Sequence, residues 1–199
     1  MSGLLITIIV LALFFDYVNG FHDAANSIAT IVSTKVLTPF RAVLWAASFN
    51  LVAFFIAKYI IGEFGIANTV SKTVLPEFVT LPVIFSGVVA AILWNLTTWW
   101  LGIPSSSSHT LIGGFAGAAI MSSGTFGAIH FETIIVIAAF IFLAPAIGMA
   151  ISTLLTILIQ YICKKANPHH TNRIFKRLQL VSSALFAIGF GLNDSQKVM

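Results

Sequence analysis

The chain has 199 residues, 58% of them hydrophobic and only 8% charged, with a formal net charge of +4. Soluble domains carry about 25% charged residues, so the composition excludes a soluble enzyme or binding domain and describes an integral membrane protein. One cysteine, Cys163, excludes an internal disulfide and a Cys-rich metal site.

A membrane-spanning helix needs about 20 mainly apolar residues. The first candidate covers 3–33. Its start, MSGLLITIIVLALFF, is like the apolar part of a signal peptide, but no Lys or Arg precedes it and no A-x-A-like cleavage site follows. It is therefore expected to be a retained span, with a break where polarity begins at Asp16. Within it, GFHDAANS places Asp23 and Asn26 in otherwise apolar surroundings. An intramembrane carboxylate costs at least ~2.5–3.5 kcal/mol on insertion scales and marks a functional site by default.

The next spans are expected at 42–61 and 81–101, the latter closed by Trp99 and Trp100 as interfacial aromatics. Segment 103–121 is rich in Gly and Ser and barely long enough to cross; a re-entrant hairpin there would change the span count by one. Gly113 and Gly117 form a G-x-x-x-G, read as a helix-packing pair. Segment 132–162 contains Pro145, which predicts a kink. A last span begins at 179. The fold class is thus an all-α polytopic membrane protein with about six spans or half-spans, some of them broken.

Five of the ten Lys and Arg residues fall in KKANPHHTNRIFKR. In a membrane protein this is a topology signal rather than a nucleic-acid footprint. It places 163–178 in the cytoplasm as a basic loop, 33–41 on the same side, and the N-terminus outside a multi-pass chain in the cell membrane.

Residues 20–26, GFHDAAN, and 191–197, GLNDSQK, share Gly, an apolar residue, a polar residue and Asp at matching positions. The two copies sit in spans expected to run in opposite directions, the pattern of an inverted-topology repeat. On this reading 1–162 is the first membrane repeat and 179–199 the start of the second. Asp23 and Asp194 then meet at one internal cation site (Na⁺, if the protein is sodium-coupled), with Asn26 and Asn193 orienting. Alternatively each aspartate pairs with a local backbone or hydroxyl group.

Segment 102–110, GIPSSSSHT, supplies another kind of chemistry. Pro104 and the serines favour a helix start, and a helix N-terminus is an anion site. Ser105, Ser106, Ser107, Ser108 and Thr110 would surround an oxyanion with neutral donors, and Lys197 is the one cationic side chain within a motif. The plainer reading is helix capping with small-residue packing.

In order and spacing, GFHDAANSIAT, PSSSSHTLIGG and GLNDSQKVM resemble the inorganic phosphate transporter (PiT) family. The resemblance runs through essentially the whole chain. It implies a cation-coupled phosphate symporter with inverted repeats, a site built from broken helices, no cofactor, Na⁺ or H⁺ as coupling ion, and a homodimer in the bilayer. His22 stands where that family often has Asn, and Asn50 where some relatives carry Glu. Family members run to roughly twice this length, which predicts that the sequence is a fragment.

An oxyanion beside two carboxylates is repelled by ~4 kcal/mol per charge pair at ~4 Å and an effective dielectric of 20. A bound cation or proton removes that repulsion, so anion and cation bind cooperatively. A sulfate or metal-phosphate symporter is the nearest alternative. A membrane-embedded serine hydrolase using Ser108, His109 and Asp23 is remote, because no G-x-S-x-G is present and the repeated Asp motif has no use in it.

Overall fold

The computed structural model describes the backbone of residues 3–61 and 72–198, with side chains over 3–60 and 72–195. Six long helices account for most of it: α1 (Gly3–Ser33), α2 (Pro39–Ile56, prolonged by a π-helical turn Ala57–Ile61), α3 (Leu81–Leu101), α4 (Ser107–Ser123), α5 (Phe131–Cys163) and α6 (Pro168–Val198). No strand occurs among the described residues, only an isolated bridge between Val74 and Ile129. All but α4 are long and apolar enough to cross a bilayer; α4, with 17 residues, extends only ~25 Å. This is the expected all-α polytopic membrane architecture.

Helix boundaries follow local chemistry. Lys35 takes a left-handed φ of 55° and ends α1, where the amides of Val36 and Leu37 both donate to the Ile31 carbonyl. Pro39 then opens α2 at a position where its missing N–H costs nothing. Gly102, at φ 66°, terminates α3, a conformation that a β-carbon disfavours.

Two expectations are corrected. The break inside the first span is absent: α1 continues from Gly3 to Ser33 straight through Asp16, Asp23 and Asn26. A helix satisfies its own backbone without water, so polar side chains alone do not interrupt it. The actual break is at 102–106, between α3 and α4. The basic segment 163–178 is also mostly helix rather than loop, because α6 already starts at Pro168. Asn167 nucleates that start: its Oδ1 accepts from the His169 amide at 3.0 Å, and its carbonyl accepts from the Thr171 amide.

Side-chain contacts fix the helix directions. Phe15 packs on Val88, Ala91 and Ile92, and Phe21 meets Trp99 edge-on at 5.3 Å, so α1 and α3 run the same way. Val83 clusters with Ala119, and Gly87 abuts Gly114 and Phe115, so α3 and α4 are antiparallel. The close approach belongs to Gly87 and Gly114. A β-carbon on Gly114 would lie 2.5 Å from the Gly87 carbonyl oxygen, whereas Gly113 and Gly117, expected to be the packing pair, have nothing within 4 Å. Trp45 donates to the Ser183 hydroxyl at 3.2 Å, and Gly191 packs against Asn50 and Ala53, so α2 and α6 are parallel. α5 contributes no buried residue.

Candidate functional site

Asp16, Asn19, Asp23 and Ser27 recur every three or four residues along α1 and therefore share one face. That stripe runs beside α6. The Asn19 Nδ2 donates to Asp194 Oδ1 at 3.0 Å, and the Thr34 hydroxyl meets Gln179 at 3.0 Å. Both pairs have the same residue-number sum, so α1 and α6 are antiparallel in one continuous register. Asp194 consequently lies opposite Asn19, and Asp23 is one helical turn along the same stripe. Asp23 and Asp194 are both half-buried. Asp194 of the second G-x-x-D copy thus bonds to Asn19, the residue that precedes the first copy.

The start of the hydroxyl-rich helix α4 lies at the same height in the bundle. The α3–α4 register pairs Val83 with Ala119 and Gly87 with Gly114 and Phe115, so the first turn of α4 falls level with Asn95 of α3. That turn lies ~9 Å short of the end of α3. The α1–α3 register, Phe15 with Ala91 and Phe21 with Trp99, puts Val18 and Asn19 level with Asn95 too. A single layer therefore holds Asn19, Asp194, Asn95 and the N-terminus of α4.

The hydroxyls divide between two faces of α4. Ser107, 6% exposed, is buried in the first turn. Ser105, Ser106, His109 and Thr110 instead line an open cleft of about 790 Å³, together with Trp94 of α3 and Pro145 of α5. The Ser105 hydroxyl lies 3.4 Å from that of Thr110, and Thr110 donates to the Ser106 carbonyl at 2.9 Å. Ser106 is the N-cap residue, yet its side chain makes no capping bond. The first-turn amides of a helix have no intrahelical acceptor, and with the dipole they favour an anion.

Other expected site residues are placed less centrally. Asn26 and Asn193 are exposed, and Ser108 is half-buried. The Lys197 side chain lies outside the described residues. Three polar side chains carry buried atoms with no hydrogen-bond partner among the described residues: His22 at Nδ1, Asn50 at Oδ1, and Asn95 at both amide atoms. Each lies within about a turn of the layer. Sequence reading passed over Asn19 and Asn95. Asn19 had a usable signal, standing four residues before Asp23 on one helical face; Asn95 is the one amide in α3.

The phosphate transporter family model matches residues 19–199. The chain is 45% identical to a probable low-affinity inorganic phosphate transporter of Rhizobium meliloti (strain 1021), over 98% of this chain and 57% of that protein. It is 42% identical to the protein of the same description from Bacillus subtilis (strain 168), over 98% of this chain and 58% of the relative. A third, from Streptomyces halstedii, is 38% identical over 95% of this chain and 86% of its own length. The chain thus spans a little over half the length of the first two relatives. No solved structure matches it.

Proposed function

Since the chain belongs to the phosphate transporter family, we propose that it imports inorganic phosphate across the cell membrane by symport with a monovalent cation, Na⁺ or H⁺. The observation that carries the reading is the Asn19–Asp194 hydrogen bond at 3.0 Å. It ties Asp194 of the second Asp motif to the residue just before the first, on antiparallel helices, level with the N-terminus of α4. Inverted-repeat transporters bind substrate at such meetings of helix ends and repeated motifs.

In this mechanism Asp23 and Asp194 hold the coupling cation. Asn26 and Asn193 orient that site. Phosphate binds against the first turn of α4, where backbone amides and Ser107 donate; Ser105, Ser106, Ser108 and Thr110 donate from the turn and its cleft side. Lys197 adds one positive charge from the second motif. With the carboxylates uncompensated, the anion is repelled by ~4 kcal/mol per charge pair at ~4 Å and an effective dielectric of 20. The cation removes that repulsion, so each ligand raises the other's affinity. HPO₄²⁻ can also donate a hydrogen bond to a carboxylate, whereas SO₄²⁻ cannot, which favours phosphate over sulfate. The basic start of α6 faces the cytoplasm and the N-terminus the outside, by the positive-inside rule.

The test is ³²P-phosphate uptake into proteoliposomes holding the complete open reading frame, alongside the 199-residue chain. Na⁺ and pH gradients are imposed separately, with excess unlabelled sulfate as competitor. Accumulation driven by one gradient and resistant to sulfate is expected. Uptake driven by neither gradient would overturn symport, and abolition by sulfate would change the substrate.

A further inference from the structure

Asn95 combines two properties that seldom coincide. It is 1% exposed, yet neither its Nδ2 nor its Oδ1 has a hydrogen-bond partner among the described residues. Its backbone is not the reason, since the Asn95 carbonyl accepts from the Thr98 hydroxyl at 3.1 Å. Buried polar groups are nearly always paired, and one left unpaired calls for an explanation such as a bound ion or water. Asn95 also lies on the buried face of α3, with Ala91, Ile92 and Thr98, the face that packs on α1 and α4. Both registers put it at the height of Asn19 and of the first turn of α4.

We infer that Asn95 is a ligand-binding residue of the transport site, its amide standing between the two solutes. The Nδ2 hydrogens donate to the oxyanion held by the first turn of α4. The Oδ1 faces the cation held near Asp23 and Asp194. An amide is suited to this post because it carries donor and acceptor without charge. A carboxylate there would repel the anion, and an ammonium group would repel the cation. Neither amide atom is paired within the described protein, and joint occupancy by the two solutes satisfies both, so Asn95 contributes to the cooperativity between them. This inference rests on the phosphate-symport reading above and adds a residue to that site.

Leu is nearly isosteric with Asn, which makes Asn95→Leu discriminating. If Asn95 serves ligand binding, Leu removes two unpaired buried atoms at no structural cost, because replacing an unsatisfied polar group by an apolar one of the same shape is neutral or stabilising. The complete protein in detergent is compared with Asn95→Leu and Asn95→Asp by thermal unfolding without solutes. Equilibrium ³²P-phosphate binding is then measured with and without NaCl, and at two pH values.

The expected result is an unfolding midpoint for Asn95→Leu equal to or above that of the unsubstituted protein, with phosphate affinity lowered ~10–100-fold. Asn95→Asp keeps an acceptor for the cation and adds an anion-repelling charge, so it loses at least as much phosphate affinity. A clear drop in the Asn95→Leu midpoint would mean that Asn95 holds the fold together, and would overturn the inference. So would phosphate affinity within twofold of the unsubstituted protein. Failure of the unsubstituted protein to bind phosphate under any cation condition would instead overturn the transport reading itself.

Discussion

α1 and α5 are nearly equal in length, at 31 and 33 residues, and α5 is the more apolar. Yet α1 buries Phe15, Val18, Asn19, Ser27 and Ile31 among its neighbours, while α5 buries nothing. In water the more apolar helix would occupy the centre. Lipid solvates Leu and Phe as well as another helix does, so helices associate through polar and small residues instead. The same rule accounts for the α2–α6 contact, where Ala42, Ala46 and Ala53 face the side of α6 carrying Ser183, Ala187 and Gly191. The α2–α6 contact is made by small residues, and α1 buries the polar Asn19 and Ser27 beside Phe15, Val18 and Ile31, whereas α5 buries neither kind of residue.

Asp23→Asn carries the largest expected effect. With Asp23→Asn the cation no longer relieves a charge repulsion of ~4 kcal/mol, so gradient-driven phosphate uptake falls ~100-fold or more. Residual uptake that still followed the Na⁺ or H⁺ gradient would remove Asp23 from the cation site. Next comes Asn19→Leu, which leaves the Asp194 carboxylate without its 3.0 Å donor. Hydrogen bonds to charged groups contribute ~1.5–3 kcal/mol, and the thermal unfolding midpoint should drop accordingly. Asn95→Leu should leave the midpoint unchanged or raised, so the same substitution costs stability where the amide is paired and costs none where it is not.

Much of this was legible before any coordinates. The span expected at 81–101 coincides with α3, Leu81–Leu101, because apolar length is a strong signal in lipid. Opposed directions for the two Asp motifs were legible from charge asymmetry, and the antiparallel register of α1 and α6 agrees with them. Other features depended on tertiary facts. The polar run at Asp16–Asn26 was read as a break, although side-chain polarity does not sever a backbone that bonds to itself. The G-x-x-x-G of Gly113 and Gly117 is not the packing pair, because a helix rich in small residues has no pattern to fix which face turns inward. One residue of rotation is about 100°, enough to change the partner. Asn19 and Asn95 were missed since neither belongs to a motif, and their meaning comes from the helices beside them.

Glycine offers a sharper version of the α1–α5 contrast, with opposite signs in packed and unpacked helices. Gly114→Ala would put a β-carbon 2.5 Å from the Gly87 carbonyl oxygen, and backbone cannot yield as a side chain can. Overpacking of that kind costs ~1–3 kcal/mol, so the unfolding midpoint should fall. Gly148 in α5 has nothing within 4 Å, and there Ala gains the ~0.5–1 kcal/mol by which it exceeds Gly inside a helix, raising the midpoint.

The smallest expected effect is also the strictest test of what lipid does. Phe142 is 79% exposed on α5, and truncating it to Ala removes an aromatic ring without opening a cavity in the bundle. A surface substitution of this kind stays within about ±0.5 kcal/mol, so the unfolding midpoint of Phe142→Ala should match that of the unsubstituted protein. Phe15, of the same chemistry but 3% exposed, sits against Val88, Ala91 and Ile92, and its truncation should cost ~3–5 kcal/mol. If the two variants unfolded alike, apolar packing within the chain would matter no more than contact with lipid, and the polar stripe alone would hold α1 in place.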